Sequence, residues 1–183
     1  ILYSNKKYEI NHLRTIGISK SNLEYFNKNI INIKKIIWKL KKIEIFTDNL
    51  KNEKILNFEN NKNQLFSIIQ NFKLYEILNK SLLKSKFCKK ILFKKKRFDL
   101  KEYDLIINTD YSNFITKRYF NKKIIKTYNS RAYTTIIQHA ELSNNVATQI
   151  FTKKGPLAFL PISRRETSLV YSMHNINNNK VEN

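Results

Sequence analysis

Glycine and proline are almost missing from this chain, with two of each in 183 residues. Two glycines cannot build a Gly-x-Gly-x-x-Gly turn, so the chain carries no glycine-rich phosphate cradle of its own. No Pro/Gly/Ser linker and no internal repeat divides it. The single cysteine, Cys88, excludes a disulfide framework and fits a reducing compartment. No apolar run approaches the roughly 18 residues needed to cross a bilayer. The first residues, Ile1-Leu2-Tyr3-Ser4-Asn5, lack both an initiator Met and the basic-then-apolar order of a signal peptide. We therefore expect an internal segment of a longer protein, working in the cytoplasm or at the periphery of the inner membrane.

Acidic residues are also scarce. Fourteen Asp and Glu face thirty-five Lys and Arg, a formal charge of +21. One reading is a nucleic-acid binder, because basic side chains that neutralise phosphates drive non-specific binding. The other is compositional drift: Lys, Asn, Ile and Tyr dominate, as in AT-rich coding sequence, and few of the cations are Arg, the better reader of bases and phosphates. Drift outweighs the nucleic-acid reading, and under either one the charge favours contact with an anionic membrane surface. What the chain has in quantity is apolar residue, at 42% hydrophobic and 13% aromatic. That is enough for a packed core and excludes a disordered chain.

The patterning alternates between helix and strand. Ser21-Asn22-Leu23-Glu24 has capping-box spacing, predicting a helix there with Leu23, Phe26, Ile30 and Ile33 on its apolar face. Lys42 to Thr47 alternates like a strand. Asn71 is placed to cap a second helix with Leu74, Ile77, Leu78 and Leu82 as its buried stripe. Leu105-Ile106-Ile107 in a row predicts a strand buried on both faces, as in a parallel sheet. Asp110 and Ser112 would then turn the chain into a helix reaching about Phe120. Beyond it, Ile124 to Gln138, Ala147 to Thr152, Leu157 to Pro161 and Thr167 to Met173 read as an antiparallel sheet. The run Lys94-Lys95-Lys96-Arg97 reads as a solvated turn, and the tail Asn175 to Lys180 as frayed. Together these predict a mixed α/β architecture with two layers.

Several of these segments, in order, resemble the FAD-dependent aromatic-ring hydroxylases of the ubiquinone-biosynthesis type. Gly155-Pro156-Leu157-Ala158-Phe159-Leu160-Pro161, preceded by His139, Ala147, Gln149 and Phe151 and followed by Glu166 to Ser172, carries the resemblance most specifically. Arg14-Thr15-Ile16-Gly17-Ile18-Ser19 is similar to the family's Arg-x-x-Ala-Leu-Ser element, and Ile68-Ile69-Gln70-Asn71 to its strand leading into the helix beside the cofactor. Asn108-Thr109-Asp110-Tyr111 stands where the family has Gly-Ala-Asp-Gly. Asn108 and Tyr111 replace both glycines, and Phe72 and Tyr75 stand in for basic cofactor contacts.

The resemblance implies a partial Rossmann-like FAD-binding domain over residues 1–40 and 66–122, and a substrate domain with an antiparallel sheet over 41–65 and 123–183. It implies a monooxygenase that hydroxylates the ring of a prenylated phenol, a quinone precursor, with FAD as cofactor and NAD(P)H or another electron donor as reductant. A ubiquinone-biosynthesis complex is the partner it implies, and nucleic acid is not. Arg14 would contact the FAD phosphates, or is a surface arginine. Asp110 would contact the cofactor at a strand's end, or is a helix cap. Gly155, Pro156, Leu157 and Phe159 would line the flavin and substrate pocket, or form an ordinary core strand. His139 reads as a structural histidine, Cys88 as a small buried residue, and His12 and His174 have no metal-ligand spacing. The competing readings are a non-catalytic basic module that binds RNA or an acidic partner, and a hydroxylase relic that folds without binding flavin. The motifs do not distinguish which ring carbon is attacked.

Overall fold

The structure is a computed structural model that describes residues 2–4, 11–48, 53–59, 64–92, 103–111, 113–120, 124, 126 and 128–174. The charge run at Lys94, Ser112 and the tail from Asn175 lie outside the described residues. In chain order the strands are β1 Leu2–Ser4, β2 Thr15–Ser19, β3 Ile37–Leu40, β4 Lys42–Thr47, β5 Lys54–Glu59, β6 Phe66–Gln70, β7 Lys90–Leu92, β8 Ser130–Gln138, β9 Val146–Thr152, β10 Gly155–Pro161 and β11 Glu166–His174. The helices are α1 Lys20–Asn29, α2 Asn71–Lys84 and α3 Phe114–Tyr119. The fold is mixed α/β, mostly strands, with antiparallel and mixed sheets.

The chain forms two units, Ile1–Lys7 with Lys90–Tyr128, and Tyr8–Lys89 with Asn129–Asn183. The smaller holds α3 and a two-stranded parallel sheet of β1 and β7. The larger has three layers. Its outer layer is α1 and α2. Its middle is an antiparallel sheet in the order β2-β6-β3, and its third layer is a six-stranded sheet in the order β5-β4-β9-β10-β11-β8. Only the β4–β9 pair of that larger sheet runs parallel, with Ile43 opposite Ala147.

Strand alternation explains the layering, because successive side chains leave a strand on opposite faces. On β6, Ile69 joins Leu23, Ile33, Phe26 and Leu74 beneath the helices. Its neighbour Ile68 points the other way, joining Leu40, Ala147, Ile162 and Leu160 between the two sheets. Both faces of β6 are covered, which is why Phe66-Ser67-Ile68-Ile69 reads as a continuous apolar stretch around one buried serine. The Ser67 hydroxyl is satisfied by Gln64. Gly17 is needed for a related reason: the ring of Phe66 occupies the space its Cβ would take.

The helix boundaries differ from the sequence prediction by two residues at α1. An N-cap needs extended backbone, and Ser19, the last residue of β2, has it (φ −68°, ψ 161°). Its Oγ accepts from the Asn22 N–H at 3.3 Å, leaving Ser21 inside the helix. Ile30 falls at the C-cap and is exposed, while Ile33 is buried from the loop beyond. At α2 the cap position is Gln70 rather than Asn71 and makes no side-chain cap bond. Leu74, Ile77 and Leu78 are half-buried and Leu82 is exposed.

The larger correction concerns residues 105–107, which form no strand. Leu105 is 76% exposed and Ile107 79%. A strand buried on both faces needs a ladder on each edge to satisfy its backbone, and no described strand pairs with this segment. The predicted strand from Ile124 likewise begins only at Ser130. The strands β4, β9, β10 and β11 form where the alternation placed them, within one or two residues.

Candidate functional site

β9 and β10 are joined through Lys153 and Lys154, with Gly155 opposite Thr152. Gly155 has φ +135°, and a Cβ there would collide with the backbone carbonyl oxygen of Ser172 on β11. Only glycine accepts both conditions. The turn is tied further by the Thr152 hydroxyl, which donates to the Gly155 carbonyl at 2.7 Å and lies 3.3 Å from the Tyr171 hydroxyl.

From Gly155, alternation divides β10 between two environments. Leu160 faces the core between the sheets. Leu157 and Phe159 face the opposite side, half-buried and outside both core clusters. Register extends that side across five strands: Phe46 lies opposite Ile150, Ile150 opposite Leu157, Leu157 opposite Tyr171 and Tyr171 opposite Tyr133. A neighbouring row runs from Glu44 through Thr148, Phe159 and Leu169 to Thr135. The result is a largely apolar wall with Tyr171 and Tyr133 on its last two strands and a charged group on its first.

That charged group is Glu44. Its carboxylate accepts from Lys54 Nζ at 2.5 Å and lies 2.9 Å from Lys42 Nζ. Hydrogen bonding from Lys54, then from Lys42, holds its pKa below the ordinary carboxylate value. Bonding to Glu44 in turn raises that of Lys42. The wall therefore offers an apolar surface against which a ring can pack, with an ion-paired carboxylate at its β4 end.

At the end of the sheet reached by Pro161, a polar knot closes the fold. The Asn144 amide, buried, donates to the carbonyls of Ser163 (2.8 Å) and Glu166 (3.1 Å) and to the Thr167 hydroxyl (3.0 Å). The backbone carbonyl of Asn144 accepts from the Trp38 indole N–H. His139 is held by the Ala140 carbonyl at 2.8 Å and the Thr167 hydroxyl at 3.0 Å. Both ring nitrogens are engaged, so this is a structural histidine. Nearby, Glu141 receives Arg164 and Arg165, whose hydrogen bonds lower its pKa.

Arg14 is exposed just before β2, and its carbonyl accepts from the Asn71 N–H at 2.9 Å, at the first residue of α2. Asp110 lies in the smaller unit, half-buried, within a side-chain network rather than at a strand end. Asn108 Nδ2 donates to the Asp110 carbonyl (3.2 Å) and to Thr116 Oγ1 (2.7 Å), and Thr116 Oγ1 donates to the Asp110 carbonyl (2.7 Å). The cap of α3 is Asn113, whose side chain accepts from the Thr116 N–H at 3.0 Å. Gly155, Pro156, Leu157 and Phe159 are thus together on one strand, with Arg14 in the same unit and Asp110 in the other. Phe46, Ile150, Tyr171 and Tyr133 join the site through the fold alone and carry no sequence motif. Their alternation was legible, but their shared row depends on cross-strand register, which no single strand encodes. Among the described residues no group of three His, Cys, Asp or Glu could hold a metal, and no helix is long and apolar enough to cross a membrane.

No protein-family model and no curated protein matches the chain. Among solved structures it is similar to a crystal structure of a mutant of PqsL from P. aeruginosa. The TM-score is 0.73 and the identity 11%, over 94% of this chain and 53% of that one. The chain thus spans about half the length of the structure it matches, and a likeness at this identity shows the fold alone. These findings correct the resemblance to the ubiquinone-biosynthesis hydroxylases, which neither a family model nor a curated relative supports. The segment Gly155 to Pro161, which carried it, is accounted for by the fold: Gly155 by its positive φ and the Ser172 carbonyl, Leu160 and Pro161 by burial.

Proposed function

We propose that this chain is the sheet-bearing part of a larger oxidoreductase, a flavin-dependent monooxygenase whose substrate ring lies against the row Phe46, Ile150, Leu157, Tyr171 and Tyr133. The observation that carries the reading is this wall, apolar across five strands and outside both cores. The fold shared with PqsL supports it.

A surface of this chemistry suits an apolar phenol, including one with a prenyl tail. Leu157 and Phe159 would orient the ring and exclude water, and the Tyr171 and Tyr133 hydroxyls would bond its oxygen. Bound flavin supplies the oxygen-transfer chemistry, with NAD(P)H or another donor reducing it. The fit of FAD to this chain is partial. Arg14, beside a helix start without a side-chain cap, suits a phosphate. The backbone cradle for a pyrophosphate needs glycines that the chain does not have. A Rossmann-like half that holds the dinucleotide therefore belongs, in this reading, to the rest of the protein.

The test is to purify the full-length protein and record its visible flavin absorbance, then its phenol-dependent oxidation of NAD(P)H. Bound flavin with turnover that is lost in Phe159→Ala and Leu157→Asp supports the proposal. A protein that stays colourless after incubation with FAD, or turnover indifferent to both substitutions, sinks it.

A further inference from the structure

Of the chain's lysines, none falls between Lys126 and Lys153. Residues 127–152 include all of β8, which is one edge of the six-stranded sheet and is largely exposed. In a chain that fills its solvent-facing positions with Lys, a nine-residue exposed strand without one is a departure from its own habit. It is also a departure from how edges are guarded, since free edge strands are ordinarily blunted by Lys, Pro, bulges or brevity. β8 has none of these: its register with β11 runs unbroken from Ser130–His174 to Gln138–Glu166. The opposite edge, β5, is shorter, carries Lys54 and Glu59, and pairs through a register shift at Ile45/Phe46.

We propose that the edge of β8 that no described strand pairs joins β8 of a second copy of this chain, continuing the six-stranded sheet across a two-fold axis. Charge opposes a second copy least at this place. Two molecules of +21 repel over most of their surfaces, and β8, with Arg131 as its one charged residue, is where the approach is least opposed. An antiparallel pairing centred on Thr134 sets Tyr133 opposite Thr135 of the partner strand and Arg131 opposite Ile137. It joins aromatic to β-branched side chains and keeps the two arginines apart. Outward N–H and C=O groups of β8, which no described strand pairs, then find partners.

The experiment is sedimentation velocity on the full chain at rising salt. Self-pairing against a net repulsion tightens as salt screens it, from a Debye length of about 10 Å at 0.1 M to about 3 Å at 1 M. The expected result is a dimer whose dissociation constant falls with salt. Ala132→Lys with Thr135→Lys should return it to monomer, while Asn57→Lys on the other edge leaves it dimeric. In the unmodified chain, backbone amides of β8 should exchange more slowly at high protein concentration than at low, a readout independent of any variant's folding. A chain that stays monomeric at every salt concentration overturns the proposal. So does a dimer that survives both lysines, or one in which β8 exchange does not depend on concentration.

Discussion

The α-carbon of Gly155 faces the carbonyl oxygen of Ser172 so closely that no side-chain atom fits between them. The same residue sits at φ +135°. Replacement by Ala meets both obstacles at once, and backbone on both sides cannot give way. Gly155→Ala should cost about 2–4 kcal/mol, read as a lowered urea midpoint with unchanged slope. Gly17→Ala makes the useful contrast. There the obstructing atoms belong to the half-buried Phe66 ring, which can shift, so the cost should be about 1 kcal/mol. Equal losses at the two glycines would contradict this account of the turn.

Asn144 holds the other end of the sheet by donating to three oxygens, with the His139 ring nitrogen 3.4 Å from the same amide. Asn144→Ala leaves those carbonyls short of a donor in a buried place and should cost about 1–3 kcal/mol. Asn144→Asp is the sharper probe. A carboxylate among carbonyl oxygens is held protonated, so its folded pKa rises above the unfolded value. The stability it retains is present below the unfolded pKa and is lost as pH rises through the folded one. This variant should therefore become more stable relative to the parent as pH falls from neutrality, in chemical denaturation across that range. A flat difference would mean the site takes up water or turns the side chain outward.

The opposite sign applies at Glu44. Its pKa is lowered in the fold by Lys54 and Lys42, so its contribution is present above the unfolded value and is lost as pH falls through the folded one. Lys42 is raised above 10.5, and its share persists below that and is lost only in strong alkali. Glu44→Gln should thus lower stability at neutral pH by at most about 1 kcal/mol, since these groups are solvent-screened. The difference should shrink both under acid and at high salt. A loss that persists at high salt would point to packing against Phe46 instead of charge.

How much of this was legible in the sequence depended on what each element needed. β4, β9, β10 and β11 could be read because strand alternation is local, and Lys42-Ile43-Glu44-Ile45 or Thr167 to Met173 show it directly. The start of α1 was misread by two residues because two serines compete, and the winner, Ser19, is chosen by the ladder that ties it to Phe66. Leu105-Ile106-Ile107 looked like a buried strand on composition alone, yet a strand exists only with neighbours. The knot at Asn144 gathers residues about twenty positions apart with no local signal. The wall beneath the candidate site belongs to the same class: each residue was visible, and the row they form was not.

Leu160 and Phe159 are adjacent on β10 and face opposite ways, and that opposition separates stability from binding. Leu160 packs against the cluster of Leu40, Ile68, Ala147 and Ile162. Leu160→Ala opens a cavity between the sheets and should cost about 2–4 kcal/mol. Phe159 stands on the half-buried wall outside that cluster, so Phe159→Ala should cost distinctly less. If the wall receives an apolar phenol, Phe159→Ala should weaken binding of such a compound several-fold in a fluorescence titration. Leu160→Ala, at a temperature where it remains folded, should bind it normally. Should the two substitutions exchange roles, with Phe159 governing stability and Leu160 governing binding, the assignment of faces on β10 is reversed and the ligand surface lies between the sheets.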